Sequence, residues 1–468
     1  MEMNTNEVRV RFAPSPTGLM HIGNVRIALF NALFAKHNKG TFVLRIEDTD
    51  ASREVDPGGI KIIKDLEWLG LSYNEGPFFQ SKRASLYQAY FARLLEKGLV
   101  YRCFETHEEL EEKRQRQIAR GLPPRYDRAA LKLSDEQVNQ FLAEGRPYVW
   151  RFKLLEGTAV IKDLAHGDVT FDFSHFSDFT LTRPDGSFTF IFANFVDDVD
   201  MRISHVIRGG DHLSNTAMQA ALYQALEAPM PQFFHMPLLC GPDGKKLSKR
   251  DFGFSLEDLR SGGFLPVAIN NYLGIMGGSF EDEVMDFEAL VKAVRFDHLS
   301  AASQVRYDVE KLRWLNHKWM ARISADERAA FVLPLIKQAY PAAAHYTVDQ
   351  VRALLEPISG ELTTLVDAPA LLRFVFERPT FLVAGAEPLN YMQHRAFFKS
   401  VLSMPADTGV ELLEKIKEMA KAEKRSLKEV LSLLRLALTG SPTGLGIAEL
   451  GILLDVNEIR VRIAPLAE

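Results

Sequence analysis

The stretch VRVRFAPSPTGLMHIGN, Val8 to Asn24, decides the fold of this chain. Val8 to Phe12 alternates apolar residues with arginines, which predicts a short strand. The loop Ala13 to Gly18 follows, and its two prolines exclude it from a helix interior. A helical pattern then runs from Met20 to His37. A strand, a tight loop and a helix in this order predict the opening unit of a parallel α/β sheet.

Strands and helices continue to alternate after this opening unit. Thr41 to Ile46 predicts a strand and Gly58 to Leu69 a helix. The same order returns with a strand at Ile203 to Gly209, a helix at Ser214 to Leu226 and a strand at Phe233 to Leu239. The pattern changes between the two runs, and the last third of the chain is almost wholly helical. We therefore predict an α/β fold, a Rossmann-type parallel sheet with an inserted domain, followed by an all-α region.

These changes of pattern set the predicted domain boundaries. The domains are the first half of the Rossmann domain (1–78), the inserted domain (79–188), the second half of the Rossmann domain (189–250), a connecting region (251–320) and the helical domain (321–468). The chain has no repeat and no low-complexity segment that would favour another architecture.

The composition is that of an ordinary multidomain globular protein. The 468 residues are 47% hydrophobic and 25% charged. The net charge of −5 gives no bulk signal for nucleic-acid binding, which would need local basic faces. Two cysteines, Cys103 and Cys240, form no disulfide framework and favour a reducing, cytoplasmic location. The N-terminus lacks the apolar core of a signal peptide, and no apolar run approaches the length that spans a membrane.

Two elements have the composition of phosphate-binding sites. His21 and Gly23 lie at a predicted helix start, where unpaired N–H groups and the helix dipole attract anions. The run GKKLSKR, Gly244 to Arg250, follows the strand Phe233 to Leu239 and can neutralise a triphosphate. Each element alone fits equally an unliganded helix start or a solvated turn. The two elements together favour a nucleotide site, because each follows the carboxyl end of a predicted parallel strand.

The same residues resemble a known family. Ala13 to Asn24 resembles the HIGH signature of class I aminoacyl-tRNA synthetases, and Lys246 to Arg250 resembles their KMSKS signature. Further stretches resemble the glutamyl enzymes in the order expected of the bacterial type: RFAPSPTG (Arg11 to Gly18), LRIEDTD (Leu44 to Asp50), HVIRGGDHL (His205 to Leu213), KLRWLN (Lys311 to Asn316) and RLALTG (Arg435 to Gly440). The resemblance to a bacterial-type glutamyl-tRNA synthetase covers essentially the whole chain.

This resemblance implies a reaction and its partners. The enzyme would use ATP with Mg²⁺ to convert L-glutamate to glutamyl-adenylate, and would then transfer glutamate to a terminal hydroxyl of tRNA(Glu) for protein synthesis. Residues 79–188 would bind the acceptor stem, 251–320 would contact the stem and 321–468 would bind the anticodon. The resemblance further implies a monomer, with tRNA(Gln) as a second candidate substrate and no membrane partner.

The resemblance also assigns roles to individual residues. The catalytic residues would be His21, Lys246 and Lys249. The ATP-binding residues would be Thr17, Gly18, His21, Gly23, Asp211, Lys246, Ser248 and Lys249. The glutamate-binding residues would be Arg11, Ala13, Ser15, Glu47, Phe190, Asn194 and Arg208. The guanidinium groups of Arg11 and Arg208 would pair with substrate carboxylates. Glu47 and Ser15 would lie near the ammonium group, although Glu47 alone would fit a structural ion pair.

The chain departs from the family at several positions. Phe190 stands where the family usually has tyrosine, which removes a hydroxyl, and Gly210 stands where the family usually has an acidic residue. Many relatives carry a zinc site in the insertion, built on a Cys-x-Cys pair. Here Cys103-Phe104-Glu105 keeps one cysteine and residues 125–130 have none, so we predict no structural zinc and no metal-ligating residues in the protein.

Two basic runs and three rival functions stay open at this stage. The run from Lys113 to Arg128 and the run from Lys415 to Lys428 fit phosphate contact and a solvated helix face equally well. The rivals are a glutaminyl-tRNA synthetase, a short tRNA-modifying paralogue and a catalytically inactive RNA-binding regulator. Ser15 and Thr17 in the first loop oppose the glutaminyl enzyme, and the helical C-terminal region opposes the short paralogue. The intact His21 opposes the inactive regulator.

Overall fold

A computed structural model describes residues 7–49, 55–245, 247, 252–295, 304–380 and 389–468. The chain divides into two units, Met1–Asp258 with Ile269–Val309 and Leu259–Ala268 with Glu310–Glu468. No helix in the described part of the chain is long and apolar enough to cross a membrane.

A parallel sheet forms the centre of the first unit. Its strands are β1 (Arg9–Phe12), β2 (Thr41–Ile46), β3 (Glu75–Phe79), β6 (Thr158–Asp163), β9 (His205–Gly209) and β10 (Gln232–Met236). Strands β1, β2 and β3 pair in parallel in that order, and β9, β10 and β6 do the same. The backbone N–H of Ser204 donates to the carbonyl of Arg9 at 3.0 Å, so β9 starts beside β1. The strand order reverses here, at the position where open α/β sheets bind ligands.

Crossover helices connect the parallel strands. Among the described residues up to 320, the α-helices are α1 (Ile22–His37), α2 (Ile60–Trp68), α3 (Ala84–Glu96), α4 (His107–Ala119), α5 (Asp135–Ala143), α6 (Phe190–Asp200), α7 (Leu213–Ala225), Leu256–Ser261, Pro266–Ile275, Phe287–Ala293 and Val309–Met320. Helix α1 joins β1 to β2, and α7 joins β9 to β10. Helix α1 buries Val25, Leu29, Phe30 and Leu33, because it covers the sheet.

The segment predicted as an inserted domain, 79–188, contributes to two sheets. Strands β4 (Val100–Cys103), β5 (Val149–Phe152) and β8 (Phe179–Thr180) form a small antiparallel sheet. Strand β7 (Gly167–Asp172) pairs antiparallel with β6, whereas β6 pairs in parallel with β10 of the main sheet. The sequence did not reveal that β6 joins the main sheet. Its residues TAVIKD alternate buried and exposed positions, as a strand of an ordinary hairpin does. Asp163, the last residue of β6, thereby lies beside Phe233 of β10.

The structure corrects two element boundaries. The predicted strand Phe233 to Leu239 is two strands, because Pro237 lacks an N–H group to continue the ladder. Strand β10 ends at Met236, and β11 (Leu238–Cys240) pairs instead with β12 (Gln304–Arg306). The predicted helix from Met20 starts at Ile22, because His21 caps it.

The described part of the second unit is helical, and the predicted fold class is confirmed. Beyond residue 320 its helices are Ala325–Ala339, Val348–Leu355, Asp367–Leu371, Arg373–Phe376, Tyr391–Leu402, Gly409–Ala422, Leu427–Thr439, Ile447–Leu453 and Val456–Ile463. Local chemistry sets several of their ends. Ser324 and Glu327 form a capping box, and Gly440 ends a helix with a φ of 82° that suits glycine.

Candidate active site

A cavity of about 390 Å³ opens at the carboxyl ends of β1, β2 and β9. It is lined by all seven residues that the sequence predicted for glutamate binding: Arg11, Ala13, Ser15, Glu47, Phe190, Asn194 and Arg208. They come from four segments far apart in the chain. The parallel strands bring them together because their carboxyl ends meet at one edge of the sheet. What these residues bind stays a prediction.

Two arginines share one buried carboxylate beneath this cavity. The Nε of Arg11 lies 3.1 Å from Oδ1 of Asp198, and Nη1 of Arg45 lies 2.8 Å from the same oxygen. Burial opposes ionisation of Asp198, but the two guanidinium groups outweigh burial and hold its pKa below the ordinary value. Asp198 therefore stays charged and fixes the position of Arg11 at the cavity wall.

Glu47 is a buried carboxylate with one strong donor. Nδ2 of Asn194 donates to its Oε1 at 2.5 Å, and Nη2 of Arg45 lies 3.7 Å from that oxygen. Burial raises the pKa of Glu47 to about 7, although the charges of Arg45 and Arg11 act in the opposite direction. Gln219 donates to Oδ1 of Asn194 at 3.1 Å, which orients the amide. A cationic ligand group would stabilise the ionised form of Glu47.

Arg208 has an incomplete set of partners. Its side chain is buried, and its Nη2 donates to the hydroxyl of Thr216. Among the described residues, its Nε and Nη1 have no hydrogen-bond partner. Burial and the nearby charge of Arg11 lower the pKa of Arg208 to about 9. A buried guanidinium without a counter-ion is unfavourable, so this wall of the cavity is suited to an anion.

A neighbouring cavity of about 430 Å³ lies at the N-terminus of α1. Thr17, Gly18 and His21 line it, as the nucleotide prediction requires. The Nδ1 of His21 accepts from the backbone N–H of Asn24 at 3.2 Å. An accepting Nδ1 leaves the proton of a neutral imidazole on Nε2, which makes Nε2 a donor. The loop Ala13 to Gly18 is anchored to the end of β2, because the backbone N–H of Glu47 donates to the carbonyl of Pro14 at 3.0 Å.

The structure adds a second reason for glycine at position 23, and the expected nucleotide contact stays a prediction. The sequence suggested that glycine lets the backbone approach a nucleotide. A Cβ at this position would instead lie 3.0 Å from Cε1 and Nδ1 of His21. Glycine is therefore needed here because the imidazole packs over its Cα.

Besides Gly23, which is not among the described residues that line either cavity, four predicted nucleotide-binding residues gain no support from these cavities. Lys246, Ser248 and Lys249 lie outside the described residues. Asp211 is exposed in the turn after β9 and is not among the described residues that line either cavity. The assignment of all four stays a prediction from the resemblance.

Sequence reasoning missed two charged residues, Arg45 and Asp198, that support the cavity from behind. Arg45 and Glu47 occupy alternate positions of the buried segment TFVLRIE, so both side chains lie on one face. Asn194 and Asp198 are four residues apart on α6 and therefore share a helix face. Polar and charged residues at these spacings in otherwise apolar elements are the sequence pattern that could have indicated this buried cluster.

The surroundings of Cys103 do not resemble a zinc site. Its Sγ lies 3.6 Å from Oε2 of Glu105 and 3.6 Å from the hydroxyl of Tyr126. The hydroxyl of Tyr126 donates to Glu105 at 2.5 Å, and Lys113 forms an ion pair with the same carboxylate. Within the described ranges, no group of three or more His, Cys, Asp or Glu residues could hold a metal. The absence of bound zinc stays a prediction.

Several basic residues of the two runs pair with carboxylates close to them in the chain. Arg114 pairs with Glu111 at 3.0 Å and Arg116 with Glu112 at 3.0 Å on the exposed helix α4. In the second run, the ion pairs are Lys415–Glu411, Lys417–Glu414 and Arg425–Glu423. Local pairing of this kind is typical of a solvated helix and favours that interpretation for these residues.

Comparisons with known proteins give a consistent result. The family model for the catalytic domain of class I tRNA synthetases (E and Q) matches residues 7–314, and the model for an anticodon binding domain matches residues 329–466. A glutamate--tRNA ligase of Nostoc sp. is 38% identical over 464 residues, which cover 96% of each chain. That of Bacillus subtilis is 41% identical over 347 residues, covering 71% of this chain and 72% of the relative. A crystal structure of a glutamate tRNA ligase from Elizabethkingia meningosepticum, in complex with its amino acid, has a TM-score of 0.85 at 30% identity and covers 98% of this chain and 99% of that one.

Proposed function

The chain belongs to the glutamate--tRNA ligase family of class I aminoacyl-tRNA synthetases, and we propose that the cavity lined by Arg11, Glu47 and Arg208 holds the L-glutamate that it joins to tRNA(Glu) with ATP. The single observation that carries this proposal is Arg208, a buried guanidinium with two unpaired nitrogens on the cavity wall. A carboxylate that accepts from one of these nitrogens would supply the counter-ion that Arg208 lacks among the described residues.

The charges around the cavity are complementary to glutamate. The substrate carries two carboxylates and one ammonium group. Arg208 and Arg11 supply cationic donors, and Glu47 supplies a carboxylate whose position is set by Asn194. Glutamine would place an amide NH₂ group against a guanidinium, which is a donor facing a donor. We infer that this mismatch favours glutamate over glutamine, and it opposes the glutaminyl alternative.

The cavity at the start of α1 is the proposed ATP site. The helix N-terminus, Thr17, Gly18 and the Nε2–H of His21 would bind phosphate oxygens. Lys246, Ser248 and Lys249 would complete the site, as the resemblance implies. Mg²⁺ typically enters such sites on the nucleotide phosphates and keeps several waters, so a site with few protein carboxylates suits it. When bound, it would supply charge neutralisation to the phosphates.

The protein contributes positioning and charge stabilisation rather than a covalent nucleophile. An oxygen of the glutamate α-carboxylate attacks the α-phosphorus of ATP, forming an acyl–phosphate bond as the bond to the β-phosphate breaks and pyrophosphate leaves. A hydroxyl of the terminal tRNA ribose then attacks the activated carbonyl carbon, forming the ester and releasing AMP. Arg208 and Glu47 hold the substrate in place during the first step, while His21 donates to the phosphates.

The remaining domains would bind tRNA. We propose that residues 79–188 contact the acceptor stem, that 251–320 contact the stem, and that 321–468 read the anticodon. The match of residues 329–466 to an anticodon binding domain supports the last assignment. Charging of tRNA(Gln), a monomeric state and a cytoplasmic location stay predictions.

Aminoacylation of purified tRNA(Glu) and tRNA(Gln) with labelled glutamate or glutamine tests the proposal. We expect ATP-dependent charging of tRNA(Glu) with glutamate and little incorporation of glutamine. Preferential incorporation of glutamine would identify the glutaminyl alternative, and no charging of any tRNA would favour the inactive RNA-binding alternative.

A further inference from the structure

A buried chain of hydrogen bonds starts at Nη2 of Arg208, the nitrogen other than the two that lack a partner among the described residues. Its Nη2 donates to Oγ1 of Thr216. Oγ1 of Thr216 lies 2.7 Å from Nε2 of His235, and Nδ1 of His235 lies 2.5 Å from Oδ2 of Asp163. The four residues belong to β9, α7, β10 and β6, and each is at most 5% exposed. The chain therefore ties together three strands and a crossover helix at a single point.

The direction of each hydrogen bond can be assigned. Asp163 accepts from the backbone N–H groups of Ala165 and His166 at 2.9 and 3.1 Å, as expected of an ionised carboxylate. Burial opposes its ionisation, but the hydrogen bonds from His235 and these amides hold the pKa of Asp163 below its ordinary value. Nδ1 of His235 is therefore the donor to Asp163. Burial lowers the pKa of His235, so its Nε2 carries no proton and accepts.

Thr216 consequently donates its hydroxyl hydrogen to His235. The carbonyl of His212 is a second acceptor for this hydrogen but is more distant, at 3.2 Å. With its hydrogen directed to His235, the oxygen of Thr216 presents lone pairs to Arg208. Every hydrogen bond in the chain then has the same donor-to-acceptor direction, from the guanidinium of Arg208 to the carboxylate of Asp163. Such a polarised chain holds a donor more firmly than an isolated hydroxyl, which is free to rotate.

We propose that Thr216, His235 and Asp163 are positioning residues that orient the guanidinium of Arg208 toward a carboxylate of glutamate. None of the three is among the described residues that line the glutamate cavity, so they act through Arg208 rather than on the substrate. The inference rests on the proposed function, because it assigns Arg208 to the substrate. It adds to that function a reason why one nitrogen of Arg208 is bound by protein.

The test compares Thr216→Val with Thr216→Ser in steady-state aminoacylation of tRNA(Glu). Valine has nearly the shape of threonine but lacks the hydroxyl, whereas serine keeps the hydroxyl and loses only a methyl group. We expect Thr216→Val to raise KM for glutamate about 10-fold or more, as for loss of a hydrogen bond to a charged group. KM for ATP should not change, and Thr216→Ser should restore KM for glutamate to near the wild-type value.

Two further measurements separate a positioning role from a structural one. In an Arg208→Ala background, Thr216→Val should have little additional effect on KM for glutamate, because residues that act through one another are non-additive. If Thr216→Val does not fold, Asp163→Asn replaces it, since asparagine keeps the shape and removes the charge at the end of the chain. The same rise in KM for glutamate is expected for that variant.

The inference is overturned by an unchanged KM for glutamate in the folded variant, by equal impairment of Thr216→Ser, or by a full additional effect in the Arg208→Ala background. Failure of the proposed function has a different signature. In that case the wild-type protein charges no tRNA with glutamate, or Arg208→Ala leaves KM for glutamate unchanged.

Discussion

Asn194 donates from Nδ2 to Oε1 of Glu47 at 2.5 Å, inside the proposed glutamate cavity and away from bulk water. The two residues are 147 positions apart: Asn194 lies on α6, and Glu47 directly follows β2. The contact fixes one oxygen of the carboxylate. It also places the only acidic side chain among the described lining residues where a substrate ammonium group can approach.

The raised pKa of Glu47 predicts a pH dependence. Burial brings this pKa to about 7 in the free protein, so lowering the pH below about 7 neutralises Glu47 and removes the charge that attracts the ammonium group. We expect kcat/KM for glutamate to fall in this range, because that parameter reports ionisation of the free enzyme. Glu47→Gln should have a low kcat/KM without the inflection. A variant that retained the wild-type inflection would assign it to another group.

The same shift has an opposite consequence for stability. A carboxyl group whose pKa is raised on folding binds more protons in the folded than in the unfolded state. The contribution of Glu47 to the free energy of unfolding is therefore fully present below its ordinary pKa of 4.5 and is lost as the pH rises through about 7. Denaturant unfolding at several pH values should show that Glu47→Gln loses less stability than wild type across this window. Equal losses in the two proteins would contradict the prediction.

Arg208 is predicted to select glutamate over glutamine. Arg208→Ala should reduce kcat/KM for glutamate roughly 100-fold or more, taking about 3 kcal/mol for a lost charged contact. The kcat/KM for glutamine, already a poor substrate, should fall much less, so the preference for glutamate over glutamine should narrow. Arg208→Lys is the matched control, because lysine keeps the charge but cannot pair with a carboxylate through two nitrogens. If Arg208→Ala keeps the full glutamate-to-glutamine ratio, Arg11 becomes the next candidate.

Gly23→Ala should impair catalysis without impairing the fold. Alanine in a helix is more favourable than glycine by about 0.5–1 kcal/mol, so thermal stability should not fall from helix propensity alone. The new Cβ would meet the ring of His21 at 3.0 Å and displace it from its cap on α1. The rate of adenylate formation should fall by roughly 10- to 100-fold, as for other small displacements of positioned groups.

A glycine with open space around it provides the control. A Cβ at Gly360 meets no atom within 4 Å, and Gly360→Ala should leave both the melting temperature and the rate near wild type. Normal adenylate formation by Gly23→Ala would show that the position of His21 is unimportant for the reaction.

The purified protein should contain less than stoichiometric zinc. The nearest partners of the thiol of Cys103 are a hydroxyl and a carboxylate that already pairs with Lys113, and the ammonium charge of Lys113 opposes a bound cation. Metal analysis, combined with activity in a zinc-selective chelator and excess Mg²⁺, measures this. Stoichiometric zinc together with loss of activity on chelation would show the prediction to be wrong.

The sequence by itself determined the local elements and the family. The residues from Val8 to Asn24 specify a strand, a proline-containing loop and a capped helix through their immediate neighbours alone. The family motifs, met in order along the chain, identified seven residues that the fold then assembled in one cavity. Patterns of short range and motifs of fixed spacing are readable from sequence because each depends on residues close together in the chain.

Only the tertiary structure decided how those residues are supported. Asp198 pairs with Arg11 across 187 positions, and His235 reaches Asp163 across 72, through a strand that the sequence placed in a separate domain. The close packing of the His21 ring against Gly23 is a further contact that the motif did not reveal. These relationships depend on which strands are neighbours in the sheet and on which side chains lose contact with water. Burial and strand order arise from the whole chain, and no single stretch of residues encodes the partners that a buried charge will find.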